Sequence, residues 1–305
     1  MELLIYTVTF NPSLDYVVHM DHFAAGTINR AEQVHIYPGG KGINVALVLG
    51  SLHMPARMLG FTAGFTGREI ERLCRVHGGD CAFLQLDAGT SRINVKISAD
   101  GETAVNGQGP DIPADKLEQL LNQIRSLQDG DTLVLAGSIP SSLRDDIYRR
   151  ILELLQGRSV RTVVDATGSL LKKVLPYHPF LIKPNQDELG GLFHKDLQTE
   201  AEIAACAKEV QALGARNILV SRGGDGALLL SEDGRLFRSA APRGKLVNSV
   251  GAGDSMVAGF LTGYDRSGGD YGAALKLGTC AGSATAFRDW LATEADVNAL
   301  LQQMA

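Results

Sequence analysis

Short apolar runs rich in β-branched residues recur along this chain, most of them separated by segments with helical spacing. Leu3–Phe10 is the first, and Thr132–Ala136, Thr162–Ala166, Phe180–Ile182, Ile218–Ser221 and Ala227–Leu230 repeat its character in shorter form. A strand that is apolar on both faces must be covered on both, as in the middle of a parallel sheet. Between the runs, Leu117, Leu120, Leu121, Ile124 and Leu127 form a stripe at helical spacing, with Pro113 suited to the first turn. Ile147, Ile151, Leu154 and Leu155 repeat the pattern. Thr199 with Glu202, and Thr293 before Glu294 and Asp296, have the spacing of capped helix starts. The alternation predicts an α/β fold with a mostly parallel sheet covered on both faces.

Two stretches break the alternation. Tyr16–His19 with Gln33–Tyr37, and Ile93–Ile97 with Glu102–Val105, read as short strands joined by turns rather than by helices. They predict a small β-sheet excursion, fed by residues of about 12–38 and 90–108, that serves as a lid or a dimer contact. With no internal repeat or linker in view, residues 1–305 are expected to form one domain carrying this lid.

Bulk properties remove several function classes. Lys plus Arg number 29 against 34 Asp plus Glu, a net charge of −5, which offers no general attraction to nucleic acid or anionic membrane. No apolar run approaches the about 20 residues that span a bilayer. Met1–Tyr6 lacks the basic region and cleavage site of a signal peptide. Cys74, Cys81, Cys206 and Cys280 are scattered without a CxxC pair, so reduced thiols in a cytoplasmic protein are expected. Any phosphate bound here must be held by a few placed cations and backbone amides.

Asn248-Ser249-Val250-Gly251-Ala252-Gly253-Asp254-Ser255 precedes the apolar helical run Met256–Leu261. Its glycines allow a tight turn into the helix, whose first amides have no intrahelical acceptor and face outward at the positive end of the dipole. Such a turn suits the charge on a phosphoryl group in flight. Asp254, held ionised by those amides, would orient an attacking hydroxyl and accept its proton. An ordinary capped helix with an acidic first turn is the alternative. Gly39-Gly40-Lys41-Gly42-Ile43-Asn44 precedes a second apolar helix over Val45–Leu52. Gly39 and Gly40 allow close approach of a ligand, Lys41 can meet a phosphate, and Asn44 can bracket vicinal hydroxyls. The loop lacks the glycine spacing and the Ser or Thr of a Walker A loop, which leaves a plain glycine-rich cap as its alternative.

Asn11-Pro12-Ser13-Leu14-Asp15 follows the first strand, where open α/β sheets place ligands. No G-x-G-x-x-G stands there, against a dinucleotide enzyme, and Asp15 is either a sugar-hydroxyl acceptor or a turn residue. In Lys183-Pro184-Asn185-Gln186-Asp187-Glu188, Asn185 and Glu188 share a helix face and can hold Mg²⁺ through its waters, with helix capping the competitor. Ser221-Arg222-Gly223-Gly224-Asp225-Gly226 reads by itself as a hairpin turn.

Taken in order, Asn11–Asp15, Gly39–Asn44, Ser91-Arg92-Ile93-Asn94-Val95-Lys96, Gly137-Ser138-Ile139-Pro140, Lys183–Glu188 and Val250–Ser255 resemble the motifs of the PfkB, or ribokinase-like, carbohydrate kinases. Ile28-Asn29-Arg30 and Gly107-Gln108-Gly109-Pro110 make the chain most similar to the 1-phosphofructokinases and tagatose-6-phosphate kinases within that family. The resemblance implies a three-layer α/β/α core with a β lid, and ATP with Mg²⁺ as phosphoryl donor. It implies Asp254 as base with Gly251, Ala252 and Gly253 as its anion hole, and Asp15, Gly40 and Asn44 on the sugar. Lys41, Arg92 and Ser138 would meet the substrate's own phosphate, with Arg30 adding charge from a partner subunit of a homodimer clasped through the lids. Lys183, Asn185 and Glu188 would serve ATP and its metal, and Ser221, Gly223 and Gly226 the nucleotide.

Arg92 and Lys96 point the same way from one strand, a pair that a phosphosugar kinase needs and a kinase for a neutral sugar does not. Arg222 stands where many relatives carry an apolar residue. The expected reaction converts fructose 1-phosphate to fructose 1,6-bisphosphate. Tagatose 6-phosphate and fructose 6-phosphate are rival acceptors, and a silent sugar-phosphate sensor on the same fold is the rival from another class.

Overall fold

A computed structural model describes residues 4–304, so Leu3, the first residue of the expected opening strand, lies outside them. The larger of two sheets has ten strands. In chain order its members are β1 (Ile5–Thr9), β4 (Ala56–Ala63), β5 (Asp80–Cys81), β6 (Leu84–Leu86), β9 (Thr132–Ala136), β10 (Arg161–Asp165), β11 (Leu181–Ile182), β12 (Asn217–Ser221), β13 (Ala227–Leu230) and β14 (Leu236–Ser239). The four between-lying strands, β2 (Ser13–His19), β3 (Gln33–Gly39), β7 (Arg92–Ser98) and β8 (Glu102–Asn106), form the small sheet. The strand order of the large sheet is 14-13-12-11-10-9-1-4-5, with β6 beside β4. Pairing is parallel from β12 through to β5, and antiparallel only where β13 and β14 extend the edge.

Both faces of this sheet are covered, as its apolar strands require. Side chains alternate along each strand, so Val163 and Leu219 enter one core while Val164, Ile218 and Val220 enter the other. The first core is closed by helices α1 (Lys41–Ser51), α2 (Gly64–Val76), α8 (Ala252–Arg266), α9 (Tyr271–Ala286) and α10 (Glu294–Gln303). The second is closed by α3 (Ala114–Arg125), α4 (Ile147–Leu154), α5 (Gly168–Val174), α6 (Gln186–Gly191) and α7 (Glu200–Ala212). The result is the three-layer α/β/α arrangement expected. No helix among the described residues is long and apolar enough to cross a membrane.

Local signals mostly hold. Thr199 with Glu202 and Thr293 with Asp296 form reciprocal capping boxes at the starts of α7 and α10. Pro113 is the cap of α3 rather than a residue of its first turn, and Leu127 is buried just beyond that helix. The helix expected over Val45–Leu52 begins instead at Lys41, because Gly40, at φ 127°, caps it and the Asn44 amide already bonds back to the Gly40 carbonyl. Asp15 lies within β2 and not in a turn. All four cysteines are free thiols.

The small sheet has the order 3-2-7-8, with β2 and β7 parallel and the outer pairs antiparallel. Just before the chain enters it, β1 and β4 lie side by side with little room. Gly60 on β4 sits opposite Thr9, and a Cβ there would lie 2.0 Å from the Thr9 carbonyl oxygen, at a φ of 139°. Gly60→Ala should therefore destabilise the fold by about 2 kcal/mol or more through strain and displaced backbone. Urea denaturation should show a lower midpoint; an unchanged midpoint would mean that β1 and β4 do not approach this closely.

Candidate active site

Parallel strands end at a common edge, and here that edge gathers chemistry. Asn11, Gly137, Asp165, Lys183 and Ser221 stand at or just past the carboxyl ends of β1, β9, β10, β11 and β12. They border a cleft of about 1030 Å³, closed on another side by α8's first turn and by the small sheet's Asp15, Arg92, Asn94 and Lys96. This is where open α/β sheets bind ligands.

Gly251, in the left-handed region at φ 81°, caps α8, so the helix starts at Ala252 and its first i to i−4 bond runs from Ser255 N to Gly251 O. The helix itself offers no acceptor to the amides of Gly253 and Asp254. A Cβ on Gly253 would lie 3.0 Å from Lys183 Nζ, so the Lys183 ammonium sits directly over this turn. Backbone amides, a helix N-terminus and a cation converge on one point, an arrangement that receives anions.

Asp254 is 5% exposed, and its Oδ2 accepts from Asn44 Nδ2 at 2.8 Å. The expectation that helix amides hold it ionised is not met. Burial, and then the neighbouring Asp165 charge, raise its pKa to about 7 against the opposing pull of Lys41, the Asn44 bond and Lys183. Asn44, expected to bracket sugar hydroxyls, gives one of its two amide N–H groups to that carboxylate. Its position in the first turns of α1 brings it there from 210 residues away.

Asp165 is the residue sequence reasoning missed. Its side chain is 2% exposed; Oδ2 accepts from Lys41 Nζ at 3.0 Å, and Oδ1 lies 3.6 Å from Lys183 Nζ. Burial works against its charge, but Lys183 and Lys41 outweigh burial and hold its pKa below the ordinary aspartate value. Lys41 is treated reciprocally: burial would lower its ammonium, yet Asp165 and Asp254 carry it above the usual lysine value. The signal was present as an acidic residue closing the apolar run Thr162-Val163-Val164.

On the small sheet, Asp15 Oδ1 accepts from Ser13 Oγ at 2.6 Å and Asn94 Nδ2 at 2.9 Å, while Oδ2 lies 3.8 Å from Lys96 Nζ. Arg92 shares that face, anchors its Nε on the Asn11 carbonyl at 3.1 Å and is lowered in pKa by burial. Gly40, Lys41 and Ser138 line the cleft, but Gly39 does not. The space a Cβ would fill on Gly39 holds the Asp15 carboxyl and Ser13 hydroxyl, so that glycine makes room for Asp15 rather than for a ligand. Arg30 is exposed on the loop between β2 and β3 and does not border this cleft.

Asn185 and Glu188 meet as a capping box: Asn185 Oδ1 accepts the Glu188 amide at 2.7 Å, and Glu188 Oε2 accepts the Asn185 amide at 2.9 Å. Both still line the cleft, so capping and a role in binding coexist. Ser221, the last residue of β12, and Gly223 and Gly224 of the turn that joins it to β13 line it too. Gly226 does not; it closes the hairpin, where a Cβ would lie 2.0 Å from the Ser239 carbonyl oxygen. Arg222 turns away to pair with Glu200 at 2.9 Å. The wall facing this turn, formed by Leu246, Val250, Ala286 and Phe287, went unnoticed in the sequence. Its apolar residues come from two separate segments, the approach to the Gly251 turn and the end of α9, which only the fold brings together.

Several polar groups in the cleft lack a hydrogen-bond partner although buried, among them Thr9 Oγ1, Asn11 Oδ1 and Asn94 Oδ1.

Residues 8–292 match the model of the pfkB family carbohydrate kinases. The chain is 45% identical over 301 residues to a 1-phosphofructokinase of Bacillus subtilis, covering 99% of this chain and 98% of that one. It is 37% identical to a D-tagatose-1-phosphate kinase of Bacillus licheniformis, over 93% of each. The crystal structure of Escherichia coli phosphofructokinase-2 in complex with substrates and products superposes with a TM-score of 0.93 at 26% identity, covering 99% of both chains. The layered sheet, the buried Asp254 beside its amide turn and this full-length similarity have one explanation: the chain belongs to the pfkB family of carbohydrate kinases.

Proposed function

We propose that the chain transfers the γ-phosphoryl group of ATP to a ketohexose phosphate, converting fructose 1-phosphate to fructose 1,6-bisphosphate. The observation that carries this reading is the place of Asp254. It lies between an anion-receiving turn with Lys183 on one side and a sheet face carrying both a hydroxyl acceptor and two cations on the other.

Asp15, with Ser13 and Asn94 fixing its carboxylate, accepts from sugar hydroxyls. Arg92 takes the phosphate already on the sugar with its bidentate fork, aided by Lys96, Lys41 and Ser138. The reacting hydroxyl then points at Asp254. As its oxygen bonds to the γ-phosphorus and the bond to the ADP oxygen breaks, the hydroxyl proton passes to Asp254. The Gly253 amide and Lys183 hold the equatorial oxygens, in a turn shaped by Gly251 and by Ala252, whose own amide bonds the Ser249 carbonyl at 3.3 Å. Asp165, by holding Lys41 and Lys183 apart, keeps each aimed at its own anion. The adenine lies against Leu246, Val250, Ala286 and Phe287, with Ser221 and Gly223 near the sugar of the nucleotide and Gly226 shaping that turn.

Glu188 keeps one carboxylate oxygen outside its capping bond, and a single oxygen donor suits a hydrated Mg²⁺ carried in on ATP. Glu188, with Asn185 fixing it, would hold that ion through water, and the ion would neutralise charge on the phosphates. The small sheet then serves as the lid of a single kinase domain. Its outward face carries Tyr16, Val34, Ile36, Ile93 and Val105, all well exposed, which supports a homodimer through paired lids that would bring Arg30 to the neighbouring cleft. A cytoplasmic home fits the free thiols and the supply of ATP.

Assay with MgATP against fructose 1-phosphate, tagatose 1-phosphate, tagatose 6-phosphate, fructose 6-phosphate and fructose should give the highest kcat/KM for fructose 1-phosphate. A preference for a tagatose phosphate would move the chain toward the relatives of that name, and binding without turnover would make it a sensor. Asp254→Asn should lower kcat by about 10²–10⁴-fold; near-normal turnover removes Asp254 as base. Because the base must be deprotonated, kcat/KM should rise with pH up to about 7 and level off above it. Lys41 favours the ionised form of Asp254, so Lys41→Met should move that limb to higher pH. A limb that stays in place would show that another group titrates.

A further inference from the structure

Trp290, the only tryptophan of the chain, lies outside the residues that border the cleft, yet it packs against the small sheet that carries one side of it. Its ring stacks on Tyr37 of β3 with centroids 4.8 Å apart and planes 7° from parallel, and His77 packs on it at 4.4 Å. The contact continues along the small sheet, away from α1, from Tyr37 to His35 at 5.8 Å, which meets His19 at 5.7 Å. These rings form a column along one face of the small sheet. Tyr37 is directly opposite Asp15 in the antiparallel register of β2 and β3, so the two side chains share that face.

The other end of Trp290 is pinned to the phosphate side. The Asp289 carbonyl accepts from Asn248 Nδ2 at 3.0 Å, in the segment leading to the Gly251 turn. The Ala292 amide donates to Thr285 Oγ1 at 3.0 Å, and that hydroxyl also bonds Ser255 Oγ at 2.7 Å, one residue past Asp254. Arg288 holds Asp296 of α10 at 2.6 Å. Trp290 is thus fixed to the elements that carry Asp254, and through Tyr37 it grips the strand paired with Asp15.

We propose that Trp290 is a positioning residue for the phosphosugar, its stack on Tyr37 setting the distance and angle at which Asp15 faces Asp254. The inference rests on the reading of Asp15 as the sugar-binding carboxylate. Among the described aromatic pairs, this column is the one that joins the small sheet to the main body. Loss of one well-formed aromatic pair corresponds to about a 5- to 10-fold change in an equilibrium.

The test is steady-state kinetics on the full-length chain with fructose 1-phosphate and MgATP. Trp290→Ala and Tyr37→Leu should each raise KM for fructose 1-phosphate about 5- to 10-fold and leave KM for ATP in place. Trp290→Phe, which keeps a stacking ring, should restore most of the loss, and the double variant should be no worse than either single one. An unchanged sugar KM, equal shifts for both substrates, or additive losses in the double variant would each overturn the proposal. Asp15→Asn separates the two layers: if it leaves the sugar KM unchanged, the reading of Asp15 fails and the proposal with it. If Asp15→Asn is impaired while Trp290→Ala is normal, the proposal alone falls. Should Trp290→Ala not fold, Tyr37→Leu and the emission of Trp290 in the wild-type chain decide the matter. That emission should change on adding fructose 1-phosphate without ATP, and a signal that stays constant counts against the stack as the link.

Discussion

A carboxylate buried at the end of a central strand needs compensation, and Asp165 finds it in two lysines from distant parts of the chain. Lys41 opens α1 after β3, and Lys183 follows β11, so one buried charge ties the small sheet's exit to the large sheet's edge. A lone buried charge would cost several kcal/mol, and leaving either lysine without the carboxylate would set an ammonium loose in a crowded cleft. The triad also shapes the neighbouring chemistry. Burial and then Asp165 raise the pKa of Asp254 while the lysines lower it, and the balance places Asp254 near neutrality, where a carboxylate is a competent base.

Much of the fold was legible because the central strands are apolar on both faces and five of the six expected runs match observed strands almost residue for residue. Leu3–Phe10 is the exception only in length, since β1 spans Ile5–Thr9. The small sheet's four strands were also readable, as short strands joined by turns with no helix between them. The short strands β5, β6 and β14 escaped, and so did β4, whose Arg57 and Gly60 interrupt the apolar pattern, although Gly60 leaves room for the Thr9 carbonyl. Helix α1 was placed four residues late because Gly42 and Asn44 have weak helical preference in isolation, and burial overrides it.

The site was legible where a motif is local and hidden where it is assembled by the fold. The Gly251–Asp254 turn, the Gly40–Asn44 start of α1 and the Asn185–Glu188 cap are each contiguous, and the structure brings them to one cleft. Partners were another matter. No spacing rule announces that Asn44 donates to Asp254, that Gly39 yields its volume to Asp15, or that Asp165 holds Lys41 and Lys183. The state of Asp254 was misjudged for the same reason. Helix amides are visible in a sequence, whereas burial and a second carboxylate arriving from another strand are not.

The pairing of β2 with β7 has an implication for how the molecule is built. Asp15 and Asn94 are 79 residues apart, and their strands run parallel, so no hairpin can bring them together. Closing so long a loop becomes favourable only once β1, α1, β4 and α2 have brought its two ends near each other. The half of the cleft built on the small sheet therefore depends on the whole chain between β2 and β7. No short fragment of the chain can contain it whole.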